Sequence, residues 1–253
     1  MNPSVRNVLK RVRGEGYRLI NPLKARYCCP VCDYTGPFMS AKDPTGERKD
    51  AICPSCSCAE RHRLQWLVLE ALPERAQFKS MHVLHCAPEG AVEKRLRRIF
   101  GKYSSADLLD PNVDHKVDLR NIPFEDSSFD VVFASHVLEH IPEDVLAIKE
   151  IRRILRPNGF AILPVPVVNQ TTIEYDTPNP AEWGHVRAPG LDYFDRMKPF
   201  FSRVRTYVSS EFDEKYQPFL YEDRSQWPSR DFPHRQSTPG LRHDEIVPIG
   251  YAN

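Results

Sequence analysis

Residues 129–163 constrain this 253-residue chain more than any other stretch. Phe129-Asp130-Val131-Val132-Phe133-Ala134 is a short apolar run with β-branched residues, which predicts a strand buried on both faces of a parallel sheet. Pro142, Glu143 and Asp144 suit the first turn of a helix, where proline loses nothing and carboxylates meet the positive end of the helix dipole. Ile148, Ile151 and Leu155 follow at helical spacing with Lys149, Glu150, Arg152 and Arg153 between them. Pro157-Asn158-Gly159 predicts the end of that helix, and Phe160-Ala161-Ile162-Leu163 a second buried strand. Strand, helix and strand in so short a span make a βαβ unit, and hence an α/β fold on a parallel sheet.

Upstream, Cys29-Pro30-Val31-Cys32 and Cys53-Pro54-Ser55-Cys56 are two C-P-x-C turns. Each such turn lets two thiolates face one ion, and the pair predicts a closed, structural Zn²⁺ site on Cys29, Cys32, Cys53 and Cys56. Cys28 and Cys58 are left over as spare thiols. Six of the seven cysteines fall between residues 28 and 58. The start of the chain has no signal-peptide core, and no apolar run reaches membrane length, so a cytoplasmic protein with reduced thiols is expected, without membrane association. Glu60-Arg61-His62-Arg63, then Leu64, Leu67, Val68, Ala71 and Leu72, predict a helix behind the second turn, with His62 in a surface or capping role. The expected division is residues 1–78, a basic segment, zinc ribbon and connecting helix, and residues 79–253, an α/β domain with a proline-rich extension.

Net charge is +1, so no global field argues for nucleic acid or membrane. The first 27 residues differ, with Arg6, Lys10, Arg11, Arg13, Arg18, Lys24 and Arg26 against Glu15 alone. His82-Val83-Leu84-His85-Cys86 reads as the first strand of the sheet and Tyr103-Ser104-Ser105-Ala106 as the second. Asp107, at the end of the second, can accept hydrogen bonds from two ribose hydroxyls. Asp110 and Asp114 nearby leave a solvated acidic loop as the alternative.

The series F-D-V-V…L-E-H-I…L-R-P-N-G-F, between Asp118 and Pro166, resembles the second half of a class I S-adenosylmethionine (SAM)-dependent methyltransferase domain of the type 11 kind. The order C-P-x-C…C-P-x-C…E-R-H-R before such a domain resembles a group of bacterial zinc-ribbon methyltransferases. The resemblance implies a Rossmann-like sheet and SAM as cofactor. It places Asp118 near the adenine amino group with Leu119 against the ring, and makes Glu139-His140 a structural part of the cofactor pocket. It also shows a departure: the usual acidic residue and Gly-x-Gly-x-Gly turn are replaced by His85-Cys86-Ala87-Pro88-Glu89-Gly90, with one glycine and a proline that donates no amide. Small Cys86 and Ala87 still allow close approach, and Glu89 can reach the cofactor's ammonium group. Ser135 and His136, past the fourth strand, should face the methyl-bearing sulfur.

Methyl transfer is an in-line displacement that chiefly requires alignment and exclusion of water. A protonated acceptor also needs a base. His136, His140, His185 and Tyr193 are the candidates, with His136 best placed and His185 second. After the fifth strand, Trp183-Gly184-His185-Val186-Arg187 lies in a proline-rich insertion that suits a lid over a polar, anionic or sugar-like acceptor. Leu191, Phe194, Met197 and Phe201 predict an amphipathic helix, Arg203–Val208 a further strand, and Ile246–Ile249 a final edge strand, where Pro248 is tolerated. Three functions compete. The first is a methyltransferase acting on oxygen or nitrogen of a small-molecule or saccharide acceptor. The second is an RNA methyltransferase that grips RNA with the ribbon and basic N-terminus. The third is a non-catalytic SAM-fold binding module.

Overall fold

The structure is a computed structural model that describes residues 3–43, 46–221, 228–230, 232–234 and 242–253, with backbone alone for residues 3–11, 43 and 46. Pro239 of the tail lies outside the described residues, as do the side chains of Arg6, Lys10 and Arg11. The chain divides into two units. One comprises Met1–Ala71 with Val208–Ser225 and Pro239–Glu245, and the other Leu72–Tyr207 with Gln226–Thr238 and Ile246–Asn253.

The first unit opens with helix α1 (Pro3–Ile20). Two small hairpins follow, Tyr27–Cys28 with Thr35–Gly36 and Met39–Asp43 with Gly46–Ile52. The C-P-x-C turns sit at their ends, and helix α2 (Glu60–Ala71) closes the segment. His62 caps α2: its Nδ1 accepts from the Ala59 amide at 3.0 Å. Arg63 organises this unit. It is fully buried, and its guanidinium donates to the carbonyls of Ala51 at 2.8 Å, Cys58 at 3.2 Å and Gln217 at 2.7 Å, over the Phe38 ring. A planar fork of five donors can satisfy carbonyls from several segments at once. Through Arg63 the late segment around Gln217 is stitched beside the second cysteine turn, a long-range return that no local pattern announces.

The second unit is built on a seven-stranded sheet. In chain order the strands are β1 (His82–Cys86), β2 (Lys102–Asp107), β3 (His115–Lys116), β4 (Phe129–Ala134), β5 (Leu155–Ile162), β6 (Arg203–Val208) and β7 (Ile246–Tyr251). Across the sheet they run β6-β7-β5-β4-β1-β2-β3. β1, β2, β3, β4 and β5 pair in parallel, and β7 lies antiparallel to β5. Helices α3 (Gly90–Ile99) and α4 (Asp144–Ile154) follow β1 and precede β5. The expected Rossmann-like architecture is present. The core joins Leu84, Val132, Ala134, Ile148, Ile151 and Ala161, all essentially inaccessible to solvent. Asp130, near the start of β4, has a structural role: its carboxylate accepts from the His82 amide at 2.7 Å and from Arg156 at 2.6 Å.

Three local expectations change. α4 ends at Ile154, and Arg156-Pro157-Asn158-Gly159 already belong to β5. A Cβ at Gly159 would lie 2.7 Å from the Asp130 carbonyl, so the glycine serves close strand approach beside an irregular register. β7 is an interior strand, not an edge, since β6 lies outside it. Pro248 is accommodated at the last rung beyond Ile249↔Ile162, where its carbonyl accepts from the Leu163 amide at 3.3 Å and only the return bond that proline cannot donate is missing. Leu191–Met197 forms a short 3₁₀ segment in place of the amphipathic α-helix.

Replacing Arg63 with methionine keeps the apolar stem and removes the fork, leaving several buried carbonyls unpaired at roughly 1–3 kcal/mol each. Arg63→Met should therefore lower the unfolding free energy by about 3 kcal/mol or more in urea, whereas an unchanged midpoint would show that the segment around Gln217 is held by other contacts.

Candidate active site and thiol cluster

In an open α/β sheet, ligands bind beyond the carboxyl ends of the strands, where the strand order reverses. Here that reversal lies between β1 and β4. A cavity of about 450 Å³ opens there, lined by Cys86 and Ala87 after β1, Asp107 after β2, Asp118 and Leu119, and His136 and His140 after β4. Expected cofactor residues Cys86, Ala87, Asp107, Asp118 and Leu119 thus share one wall system. His85, Glu89, Gly90 and Ser135 do not line it. His85 is buried with Nδ1 2.9 Å from Tyr103 Oη, Ser135 is buried, and Glu89 and Gly90 open helix α3.

The atypical turn has a definite geometry. Ala87 carries φ +48°, the left-handed conformation that glycine adopts at no cost, and its amide donates to the Ala106 carbonyl at 2.8 Å. Gly90 has no such role: a Cβ there would meet nothing within 4 Å. The position of backbone strain is therefore Ala87, the smallest side chain that can stand there. Burial pushes the neighbouring Cys86 thiol up to about 12, which keeps it protonated and unreactive.

The acids separate by partner. Asp107 Oδ1 accepts from the amides of Leu109 at 2.6 Å and Asp110 at 2.8 Å, which fixes the carboxylate at the cavity wall. Asp114 turns back to Ser105, and Asp110 to Asn112. Only Asp107 of the three lines the cavity. Asp118 is clamped by Arg120, with Nε 3.0 Å from Oδ1 and Nη2 2.8 Å from Oδ2. That side-chain pairing holds the Asp118 carboxyl below its usual range.

Past β4, His136 also adopts a left-handed conformation (φ +56°) and its amide donates to the Pro164 carbonyl at 2.9 Å. Its ring keeps 22% exposure at the cavity wall. The insertion after β5 forms an antiparallel hairpin, Ile173–Asn179 with His185–Ala188. Trp183 at its tip is exposed, but His185 and Arg187 point inward and are buried. Arg187 donates to the carbonyls of Leu138 at 2.9 Å, Ile141 at 2.7 Å and Pro142 at 2.9 Å, and pairs with Glu174. Its cation is thus spent on backbone and not offered to an anionic acceptor. Burial pushes His185 down to about 4, so the imidazole is neutral near pH 7. Tyr193 leaves the list of bases: it is buried, and its hydroxyl donates to Asp144 at 2.7 Å.

In the first unit, one sulfur each from Cys29, Cys53, Cys56 and Cys58 lies within 4.8 Å of the others. Cys29 Sγ is 3.3 Å from Cys58 Sγ and 3.7 Å from Cys56 Sγ, and Cys32 Sγ is 3.7 Å from Cys53 Sγ. Four thiolates around one tetrahedral ion, each about 2.3 Å from it, stand about 3.8 Å apart. Five thiols are gathered, with Cys58 beside the four of the paired turns. Cys58 arrives because the Cys53 amide donates to the Cys58 carbonyl at 3.0 Å, curling the segment onto itself. Cys28 stands apart, accepting from Thr35 Oγ1 at 3.8 Å.

At residue 87, Ala87→Gly should fold at least as stably as the parent, whereas Ala87→Val should lose about 1–2 kcal/mol in urea because a β-branched side chain is strained at positive φ. Equal midpoints for both variants would contradict the turn geometry.

Comparison with known proteins agrees with this arrangement. Residues 81–163 match the family model described as a methyltransferase domain. The demethylmenaquinone methyltransferase of Bacillus subtilis is 26% identical over 141 residues, 56% of this chain and 48% of that protein. The 27-O-demethylrifamycin SV methyltransferase of Amycolatopsis mediterranei is 35% identical over 80 residues, 29% of each chain. The chain thus spans about half or less of the length of these curated relatives. Among solved structures, an S-adenosylmethionine-dependent methyltransferase from Mesorhizobium loti is similar with a TM-score of 0.48 and 13% identity, over 74% of this chain and 97% of that one. The matched segment, residues 81–163, carries β1, β4 and β5 and most of the residues that line the cavity.

Proposed function

We propose that the chain is a SAM-dependent methyltransferase whose acceptor is a small molecule methylated on oxygen or nitrogen. The observation that carries this reading is the cavity at the β1/β4 reversal, with Asp107, Leu119 and His136 on its walls. Asp107 would take the ribose hydroxyls, Leu119 and Asp118 the adenine, and the backbone at Ala87 the methionine part. SAM would supply an electrophilic methyl group. The chain's own work is to hold that group in line with the acceptor and to keep water out. His136, on the cavity wall, would receive a proton from a hydroxyl acceptor. A small-molecule acceptor is favoured over RNA because Arg13 and Lys24 of the basic segment are already engaged. Arg13 donates to the Pro54 carbonyl at 2.6 Å and to Ser57 at 2.8 Å, and Lys24 to Tyr17 at 3.0 Å.

The thiol cluster fits one structural Zn²⁺, on Cys29, Cys53 and Cys56 with Cys32 or Cys58 as the fourth ligand. Closed thiolate coordination leaves no position for substrate, so the ion contributes folding energy and no chemistry.

Calorimetric titration with S-adenosylhomocysteine tests the first part. Asp107→Ala should weaken binding about tenfold to a hundredfold, as expected for loss of charge-assisted hydrogen bonds of roughly 1.5–3 kcal/mol. Parent-like affinity would remove Asp107 from the cofactor site. For the second part, the double variant Cys29→Ser/Cys53→Ser, which leaves three thiols of the five, should lose zinc and melt at lower temperature, whereas Cys32→Ser and Cys58→Ser should each keep one zinc per chain because a fifth thiol stands ready. Full zinc content in the double variant would contradict the site.

A further inference from the structure

A second group of metal-ligating side chains lies in the methyltransferase unit, remote in kind from the thiols. One donor atom each from Glu139, His140 and His185 lies within 4.8 Å of the others. Glu139 is wholly buried, and neither of its carboxylate oxygens has a hydrogen-bond partner. The groups that face it are His136 Nδ1, 3.4 Å from Oε1, and His185 Nε2, 4.0 Å from the same oxygen. These gaps are long for hydrogen bonds. Ligand atoms about 2.1 Å from a cation, at angles between octahedral and tetrahedral, stand about 3.0–3.4 Å apart, so His185 and Glu139 would draw together by roughly half an ångström or more on sharing an ion.

The surroundings support a built site. A buried carboxylate that accepts no hydrogen bond is costly, and a cation removes that cost. The rings of His140 and His185 meet edge to face with centroids 4.7 Å apart, which keeps the two imidazoles side by side near the carboxylate. Behind His185 stands Glu182, also buried, with Oε2 3.7 Å from Nδ1 and fixed by the Tyr175 hydroxyl at 2.8 Å. At that separation Glu182 adds a second negative charge beside the imidazole, which favours a cation on its other side. Arg187 holds the whole assembly in register, because it joins the strand bearing His185 to the turn bearing Glu139 and His140. The site also adjoins the cavity, whose wall includes His136 and His140.

We propose that Glu139, His140 and His185 bind a divalent transition-metal ion of the zinc, manganese or iron class at the acceptor end of the cavity. Two imidazoles and one carboxylate suit these ions and leave coordination positions open. Those positions would take water or a hydroxyl oxygen of the acceptor, which narrows the acceptor to hydroxyl-bearing molecules. That narrowing rests on the methyltransferase reading; the ion site does not.

The test is titration of the full, zinc-loaded chain with Mn²⁺, followed by the loss of the free-ion EPR signal. Thiolates favour softer ions, so the cysteine cluster should not compete for Mn²⁺. One Mn²⁺ should bind per chain in addition to the zinc, and His140→Ala and Glu139→Gln should each weaken it at least tenfold. His140 is exposed, so its variant should keep the parental melting temperature and separates ligand loss from unfolding. S-adenosylhomocysteine titrated into the same samples reports separately on the cofactor site. Absence of Mn²⁺ binding by the folded parent, or parental affinity in His140→Ala, would overturn the proposal.

Discussion

The parallel pairing of β1 with β4 is the constraint on which the rest depends. Its register sets Cys86 beside Ala134, so the chain leaves both strands at the same level. Connections from these neighbouring strands diverge, and the space between them becomes the cavity. Two residues turn the chain sharply at that level, Ala87 after β1 and His136 after β4, and both adopt left-handed backbone conformations. Non-glycine residues in that region are held there by their surroundings, and such strain gathers at functional sites. In each case one backbone hydrogen bond fixes the turn, from Ala87 to Ala106 and from His136 to Pro164.

A second level of organisation comes from buried arginines. Arg187 spends its donors on three carbonyls of the 138–142 turn and so locks the hairpin after β5 against that turn. Arg63 does the same for the cysteine-bearing unit. A guanidinium can serve carbonyls from separate segments because its donors are planar and permanently charged. Neither arginine is available to a ligand, although both sit in stretches whose composition suggests binding.

Much of the fold is legible in the residues alone. Val131-Val132-Phe133 and Val83-Leu84 are apolar, short and bounded, and they become strands buried on both faces. The two C-P-x-C turns are equally plain. What escapes a linear reading depends on distant partners. Pro248 suggests an edge strand, yet the end of a ladder accommodates it in the interior. Gly90 looks like the surviving glycine of the cofactor turn, but the left-handed position falls on Ala87, three residues earlier. Cys58 looks spare until the segment curls and brings its sulfur to 3.3 Å from Cys29. Tyr193 and Arg187 look like site residues because of their chemistry, and burial with internal partners removes them. Glu139 and His140 belong to one short motif, but their partner His185 comes from a hairpin much further along the chain, so spacing could not foretell the cluster.

The central claim is that the cavity at the β1/β4 reversal is the cofactor site despite its atypical turn. A crystal structure of the chain with S-adenosylhomocysteine tests it most directly. The account predicts electron density with the ribose hydroxyls at Asp107, the adenine against Leu119 and the homocysteine sulfur directed toward His136. An adenosyl group seated elsewhere, or a cavity that stays free of the ligand at saturating concentration, would contradict it.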